Sequence, residues 1–183
     1  MTRLFVALRL PEPVLDALAQ RLAPLTLPGR RTTRAQWHLT LQFLGDDADP
    51  HAVSDALAGI DTAGRYARLG GPGTFPDVRH ARVLWLGLTQ GNSDVTRLAA
   101  AVAHRVAGLG HEPDPRPFRA HITLARLRVP GDLRAEIASI GDTPVGPTWT
   151  IDAVTVYESR RHSSGADYIP KAEIPLPAGP LSM

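Results

Sequence analysis

The sequence predicts an α+β fold: a bilobal, pseudo-two-fold duplicated arrangement of two mainly antiparallel sheets, backed by helices, around a central cleft. Three observations predict it. The order strand, helix, polar or Pro-rich loop, strand, short helix runs twice, with a period of about 80 residues. His38-Leu39-Thr40-Leu41 and His121-Ile122-Thr123-Leu124 fall at matching points of the two runs. The C-terminal segment reads as two strands around a tight polar turn, which is antiparallel pairing. A single domain over residues 1–183 is expected, with halves of approximately 1–80 and 81–183.

The first run opens with the strand Leu4 to Leu8 and enters a helix through Pro11 and Pro13. Val14, Leu18, Leu22 and Leu25 recur at helical spacing and supply its apolar face. A basic loop (Arg30, Arg31, Arg34) leads to the strand Trp37 to Leu44, then to a short helix with Val53, Ala56, Leu57 and Ile60 on one side. The second run repeats the order. Val83 to Leu88 is a strand, and Asn92, Ser93 and Asp94 are candidate helix N-caps. Val95, Leu98, Val102, Val106 and Leu109 make the helical stripe, which Gly108 or Gly110 ends. The loop Pro113 to Pro117 precedes the strand Phe118 to Arg126 and a helix carrying Leu133, Ile137 and Ile140. Arg65 to Leu69 is a weak strand and Trp149 to Tyr157 a strong one. Residues 163–167 read as a turn, and Tyr168 to Leu176 as an edge strand limited by Pro170 and Pro175. Gly70 to Gly73 and Thr143 to Pro147 read as loops.

Composition narrows the chemistry. The chain has no Cys, which excludes disulfides, thiolate nucleophiles and cysteine metal sites. Lys171 is the sole Lys among 20 basic residues, and arginine grips phosphate through paired hydrogen bonds. A net charge of +2 is too small for a long nucleic-acid track. The apolar start is cut by Arg9 and Pro11, which argues against a signal peptide, and no run is long enough to span a membrane. A cytoplasmic monomer with no membrane partner is expected.

On a strand, residues two apart share a face, so His38 lies beside Thr40, and His121 beside Thr123. If the lobes face each other, two imidazoles and two hydroxyls surround one volume. Imidazole titrates near ~6.5, so one can act as base and the other as acid in a single displacement at phosphorus. No third His, Asp or Glu recurs in both runs, so a metal site is the weaker reading. Neither a phosphate-binding glycine loop nor a serine nucleophile elbow is present. The other histidines, His51, His80, His104, His111 and His162, lack a repeated partner, although His162 lies beside Arg160 and Arg161.

Further segments carry a family resemblance: R-L-F-V-A-L at Arg3 to Leu8, H-L-T-L-Q-F-L-G at His38 to Gly45, and R-V-L-W-L-G at Arg82 to Gly87. To these add R-P-F-R-A-H-I-T-L-A-R at Arg116 to Arg126, and V-T-V-Y-E-S at Val154 to Ser159 with the later Tyr168. The sequence resembles the 2H phosphoesterases, in the bacterial and archaeal RNA 2′,3′-cyclic phosphodiesterase branch (the ThpR/LigT family, once described as 2′-5′ RNA ligases). The resemblance implies hydrolysis of RNA 2′,3′-cyclic phosphate ends, or of nucleoside 2′,3′-cyclic phosphates, to 2′-phosphomonoesters without a cofactor. It implies His38 as general acid and His121 as general base, with Thr40 and Thr123 on the nonbridging oxygens. Weak reverse 2′-5′ ligation is implied too.

Arg126 is similar to the family's phosphate-side Arg, and Phe43 to its base-contacting aromatic. Strict alternation places each on the face opposite its histidine, so the Arg126 assignment requires a bulge or a strand end, and a core Phe is the alternative at Phe43. Arg30, Arg31, Arg34, Arg116 and Arg119 are candidates to receive the RNA backbone. From the residues alone, the near symmetry of the halves leaves acid and base unassigned. Two other readings stay open: a non-catalytic RNA-end or nucleotide-binding module, and a phosphoesterase acting on another small cyclic phosphate.

Overall fold

The N-terminal strand β1, Arg3–Arg9, is apolar on both faces and buried from Leu4 to Leu8, so it must lie inside a sheet. The computed structural model, which describes residues 3–46, 48–61, 66–162 and 165–177, places it there. After β1 come α1 (Glu12–Leu22), β2 (Arg30–Arg31), β3 (His38–Asp46) and α2 (Pro50–Leu57). Next are β4 (Tyr66–Phe75), β5 (Ala81–Gln90), α3 (Asn92–Ala107) and β6 (Ile122–Gly131). The chain continues through α4 (Arg134–Ile140), β7 (Val145–Thr150), β8 (Ala153–His162) and β9 (Gly165–Pro175).

One sheet has four strands in the order β3-β1-β8-β9, and the other five in the order β2-β6-β5-β4-β7. The strand pairs among the described residues are antiparallel. The α+β class with two antiparallel sheets is therefore what forms, and β9 is an edge strand, as its prolines require.

Sheet membership crosses the line between the expected halves. The four-stranded sheet takes β1 and β3 from the start of the chain and β8 and β9 from its end. Helices cross as well. α1 leaves the four-stranded sheet and packs on β7 of the other, and its Arg21 donates to the carbonyl of Ile140, at the end of α4, at 2.9 Å. α3 leaves the five-stranded sheet and packs on β3. Each sheet thus buries its apolar face under a helix from the opposite run. Among the described residues, no helix is long and apolar enough to cross a membrane.

Several boundaries differ from the expected ones. The second motif strand begins at Ile122 rather than Phe118, so His121 stands just before it. Gly70 to Gly73 is not a loop but the irregular middle of β4, whose pairing with β5 shifts between Leu69 and Pro72. Beyond that shift, Gly73 stands opposite Trp85 and leaves room for the indole, since a Cβ there would sit 2.1 Å from its ring. The supposed loop at Thr143 to Pro147 runs into β7, and Ala166 and Asp167 of the expected turn belong to β9; Ser163 and Ser164 lie outside the described residues. The N-cap of α3 is Gly91, in the left-handed region, one residue before Asn92. Leu25 and Ile60 fall past the ends of their helices but still pack inward, whereas Leu109 is exposed.

The loop before β3 is pinned to the other sheet. Thr32 donates through Oγ1 to the carbonyl of Thr123 at 2.7 Å, and Trp37 Nε1 donates back to Thr32 Oγ1 at 3.0 Å. Gly29 makes the close approach: with φ +73, a Cβ there would lie 2.5 Å from the carbonyl oxygen of Arg126. Gly59 has a similar φ of +66 and open space around it. Both Gly→Ala variants carry left-handed strain of about 1–2 kcal/mol. Gly29→Ala is expected to lose at least ~1 kcal/mol more than Gly59→Ala in urea unfolding, because a fixed backbone blocks its methyl. Equal losses would show that this approach constrains nothing.

Candidate active site

Both motif strands gain one residue at the same place. Thr40 pairs with Ala7 and Gln42 with Val6, so Leu41 is an extra residue opposite β1. Thr123 pairs with Trp85 and Ala125 with Leu84, so Leu124 is the extra residue opposite β5. Such a bulge inverts the alternation beyond it. Phe43 therefore returns to the face of His38 and Thr40, and Arg126 to the face of His121 and Thr123. The parity objection to both residues falls away. Phe43 and Arg126 hold equivalent positions, five residues after their histidines. Phe43 is 64% exposed, and its ring centroid lies 6.1 Å from that of Phe5.

The imidazole of His38 is fixed at both nitrogens. Nδ1 lies 2.8 Å from the carbonyl of Gln36, which can only accept, so Nδ1 carries a proton. Nε2 then accepts from the Thr40 hydroxyl at 3.1 Å. Phe5 and Tyr168 wall the ring at 4.8 Å each, and Tyr157 stacks on Phe5. Burial among these rings pushes the pKa of His38 from 6.5 down to about 4, against the Gln36 hydrogen bond; the charges of His121 and Arg126 lower it further.

His121 repeats the pattern. Its Nδ1 donates to the carbonyl of Arg119 at 2.8 Å, again two residues back. Phase-matched aromatic walls come from Phe75, edge-on at 5.0 Å, and Trp85 at 6.1 Å. Burial lowers its pKa as well, and Arg126 and Arg119 add to the shift. Both imidazoles are thus neutral at neutral pH, with the proton held on Nδ1 and the Nε2 lone pair turned away from the backbone anchor. β3 lies against β6, each imidazole is under the charge of Arg126, and His38 is under that of His121. The structure therefore brings His38, His121, Thr40, Thr123, Arg126 and Phe43 to facing strands.

The remaining arginines separate. Arg31 donates to the carbonyls of Leu25 and Leu22, Arg34 is ion-paired with Glu12 and Asp16, and Arg116 with Asp114. Those three guanidinium groups already have partners within the protein. Arg119 lies over the Trp85 ring at 5.7 Å. Among the described residues, no acceptor meets the guanidinium of Arg30 or Arg126. His162 pairs with Asp167 at 2.9 Å on an exposed hairpin.

Sequence reasoning missed Phe5, Phe75, Trp85 and Tyr157 as cleft walls, and the carbonyls of Gln36 and Arg119 as anchors. A carbonyl has no signature in sequence. The aromatics stand on separate strands, so only the assembled sheets show them as two enclosures.

The chain matches the 2′-5′ RNA ligase superfamily across residues 10–163. It is 30% identical to an RNA 2′,3′-cyclic phosphodiesterase of Thermus thermophilus, over 91% of this chain and 86% of that protein. A protein of the same description from Escherichia coli is 28% identical over 92% of this chain and 93% of that one. The crystal structure of E. coli LigT complexed with 3′-AMP superposes with a TM-score of 0.78 at 27% identity, covering 97% of this chain and 99% of that one. With the family pattern running through most of its length and relatives matched nearly end to end, the protein belongs to the 2′-5′ RNA ligase superfamily, the 2H phosphoesterases.

Proposed function

We propose that the protein hydrolyses RNA 2′,3′-cyclic phosphate ends to 2′-phosphomonoesters, with His38 as general acid and His121 as general base. The observation that carries this reading is the matched pair of imidazoles, each held at Nδ1 by a carbonyl two residues back and each beside Arg126. The names of the Thermus and E. coli relatives and the 3′-AMP bound by LigT support the substrate class.

In the proposed reaction, His121 Nε2 takes a proton from water as the water oxygen attacks phosphorus. The bond from phosphorus to O3′ breaks, and His38 Nε2–H gives its proton to O3′. The products are a 2′-phosphate and a free 3′-hydroxyl. Thr40 and Thr123 donate to the nonbridging oxygens, and Arg126 offsets the charge that builds on them. Phe43 offers a base a stacking surface that tolerates any sequence. A 5′-hydroxyl in place of water would make a 2′-5′ linkage by the same proton transfers, so weak ligation belongs to the same proposal. Of the two carried-over roles, that of His38 needs the substrate's help: burial disfavours its imidazolium, and the phosphodiester anion restores it.

The first test is incubation with adenosine 2′,3′-cyclic monophosphate and an RNA ending in a cyclic phosphate, in EDTA, resolving 2′- from 3′-phosphate. The 2′-phosphate is expected from both substrates despite the chelator. His38→Ala and His121→Ala are each expected to lose about 10²–10⁴-fold in turnover with unchanged far-UV spectra. Retained activity in either variant would sink the mechanism.

Because one imidazole must be charged and the other neutral, the pH–rate profile should be a bell. Both pKa values lie below 6.5, so the maximum of kcat/KM is expected on the acid side of pH 6.5. The bound anion raises both, so the kcat profile should sit at higher pH. Coincident or flat profiles would contradict the assignment.

The same burial affects stability. Unfolded His38 takes up a proton below about 6.5 that the folded site refuses until about 4, so stability falls as pH drops through that window. The loss attributable to His38 is on the order of 3 kcal/mol. Urea unfolding at pH 7 and pH 4 should show the wild type losing this much more than His38→Gln, and equal losses would refute it.

A further inference from the structure

Arg30 and Arg126 are direct cross-strand partners between β2 and β6. Opposite residues of an antiparallel pair share a face with their Cβ atoms about 5 Å apart, and like charges so placed destabilise the sheet. No acceptor among the described residues neutralises either guanidinium. The chain nevertheless holds the pair firmly. Gly29 is pressed on the Arg126 carbonyl, and the Thr32 backbone N–H donates to the carbonyl of Leu124 at 2.9 Å. On its outer side, Arg30 rests against the β8–β9 hairpin: a Cβ at Gly165 would lie 3.0 Å from its Nη1. Gln36, whose carbonyl anchors His38, donates through Nε2 to the carbonyl of Ala166 in that hairpin at 2.8 Å. Two exposed arginines on paired strands, with no counterion among the described residues, suit an anionic ligand.

The two arginines do not stand at the same depth. The charge of Arg126 lowers the pKa of both imidazoles, whereas the Arg30 guanidinium reaches the β8–β9 hairpin at Gly165. Arg126 therefore borders the reacting phosphate and Arg30 lies further out, at the rim. A 2′,3′-cyclic phosphate closes the 3′ end of a chain, so the terminal nucleotide joins the rest of the RNA only through its 5′ oxygen. The next anion such a substrate can offer is the diester on that 5′ side.

We propose that Arg30, seated beside Arg126, binds the phosphodiester 5′ to the terminal nucleotide and so makes the site select cyclic ends carried on an RNA chain over free nucleoside cyclic phosphates. This rests on the cyclic phosphodiesterase reading above. The test compares kcat/KM for adenosine 2′,3′-cyclic monophosphate and for a short RNA ending in the same nucleotide, across a salt series. Arg30→Met keeps the apolar stem and removes the charge. It is expected to lower the ratio of RNA to mononucleotide kcat/KM about tenfold, through KM, and to flatten the salt dependence for RNA by about 0.7 in log–log slope. Arg30→Lys keeps the charge and is expected to keep the slope.

A wild type inert on both substrates would remove the underlying reading and this proposal with it. An active wild type whose ratio Arg30→Met leaves unchanged, whether both activities hold or fall together, would remove the proposal alone. A slope lost equally in the Lys variant would assign the effect to packing on the hairpin and overturn it too.

Discussion

Side chains on a strand alternate between faces, so a residue five positions after another shares its face only where the strand takes up one extra residue. Both motif strands do so at the fourth motif position, Leu41 and Leu124, and what the two sheets display toward each other depends on it. Before the bulge each strand presents an imidazole and a hydroxyl. Beyond it the strands present unlike groups, an exposed phenyl ring on one side and a guanidinium on the other. A near-symmetric scaffold thereby becomes asymmetric where a nucleotide, which has an apolar base at one end and an anion at the other, must choose an orientation.

The exchange of helices between the sheets bears on the same point. α1 covers the sheet that β1 does not join, and α3 covers the sheet that β5 does not join. Separating the sheets would expose both helical faces, including Val14, Leu18 and Val102, which are fully buried. At about 25 cal/mol per Å² of apolar surface, opening is strongly disfavoured. The loop from Gly29 to Thr32 adds a strand of polar anchors across the gap. The histidines are consequently held in place by the body of the fold, which suits a site that acts through prearranged dipoles rather than through closure.

Much of this was legible in the chain. The paired H-x-T strands, the repeated order of elements and the C-terminal hairpin are local patterns, and local patterns survive folding. The bulges were not legible, because Leu41 and Leu124 are ordinary strand residues and the extra residue exists only relative to a partner strand. Gly70, Gly71 and Gly73 misled in the opposite sense: glycines that read as a loop lie within β4, where Gly73 leaves room for the Trp85 ring. Which sheet a strand joins is decided by packing between distant segments, so the division near residue 80 has no counterpart in the sheets. Among the other arginines, sequence proximity to the motifs did not separate Arg30 from Arg31, Arg34 and Arg116, whose partners only folding reveals.

The anchoring of both imidazoles at Nδ1 has a kinetic consequence. In the proposed cycle one proton leaves His38 and another arrives on His121, so each turnover ends with the two rings in the reverse of the charge states they hold with substrate bound. A free imidazole could restore itself by flipping or by relaying a proton through its second nitrogen. Here the second nitrogen faces a main-chain carbonyl in each ring. Reset must therefore pass through Nε2, on the side where the product phosphate sits. In that proposed cycle, product departure and proton return share one opening.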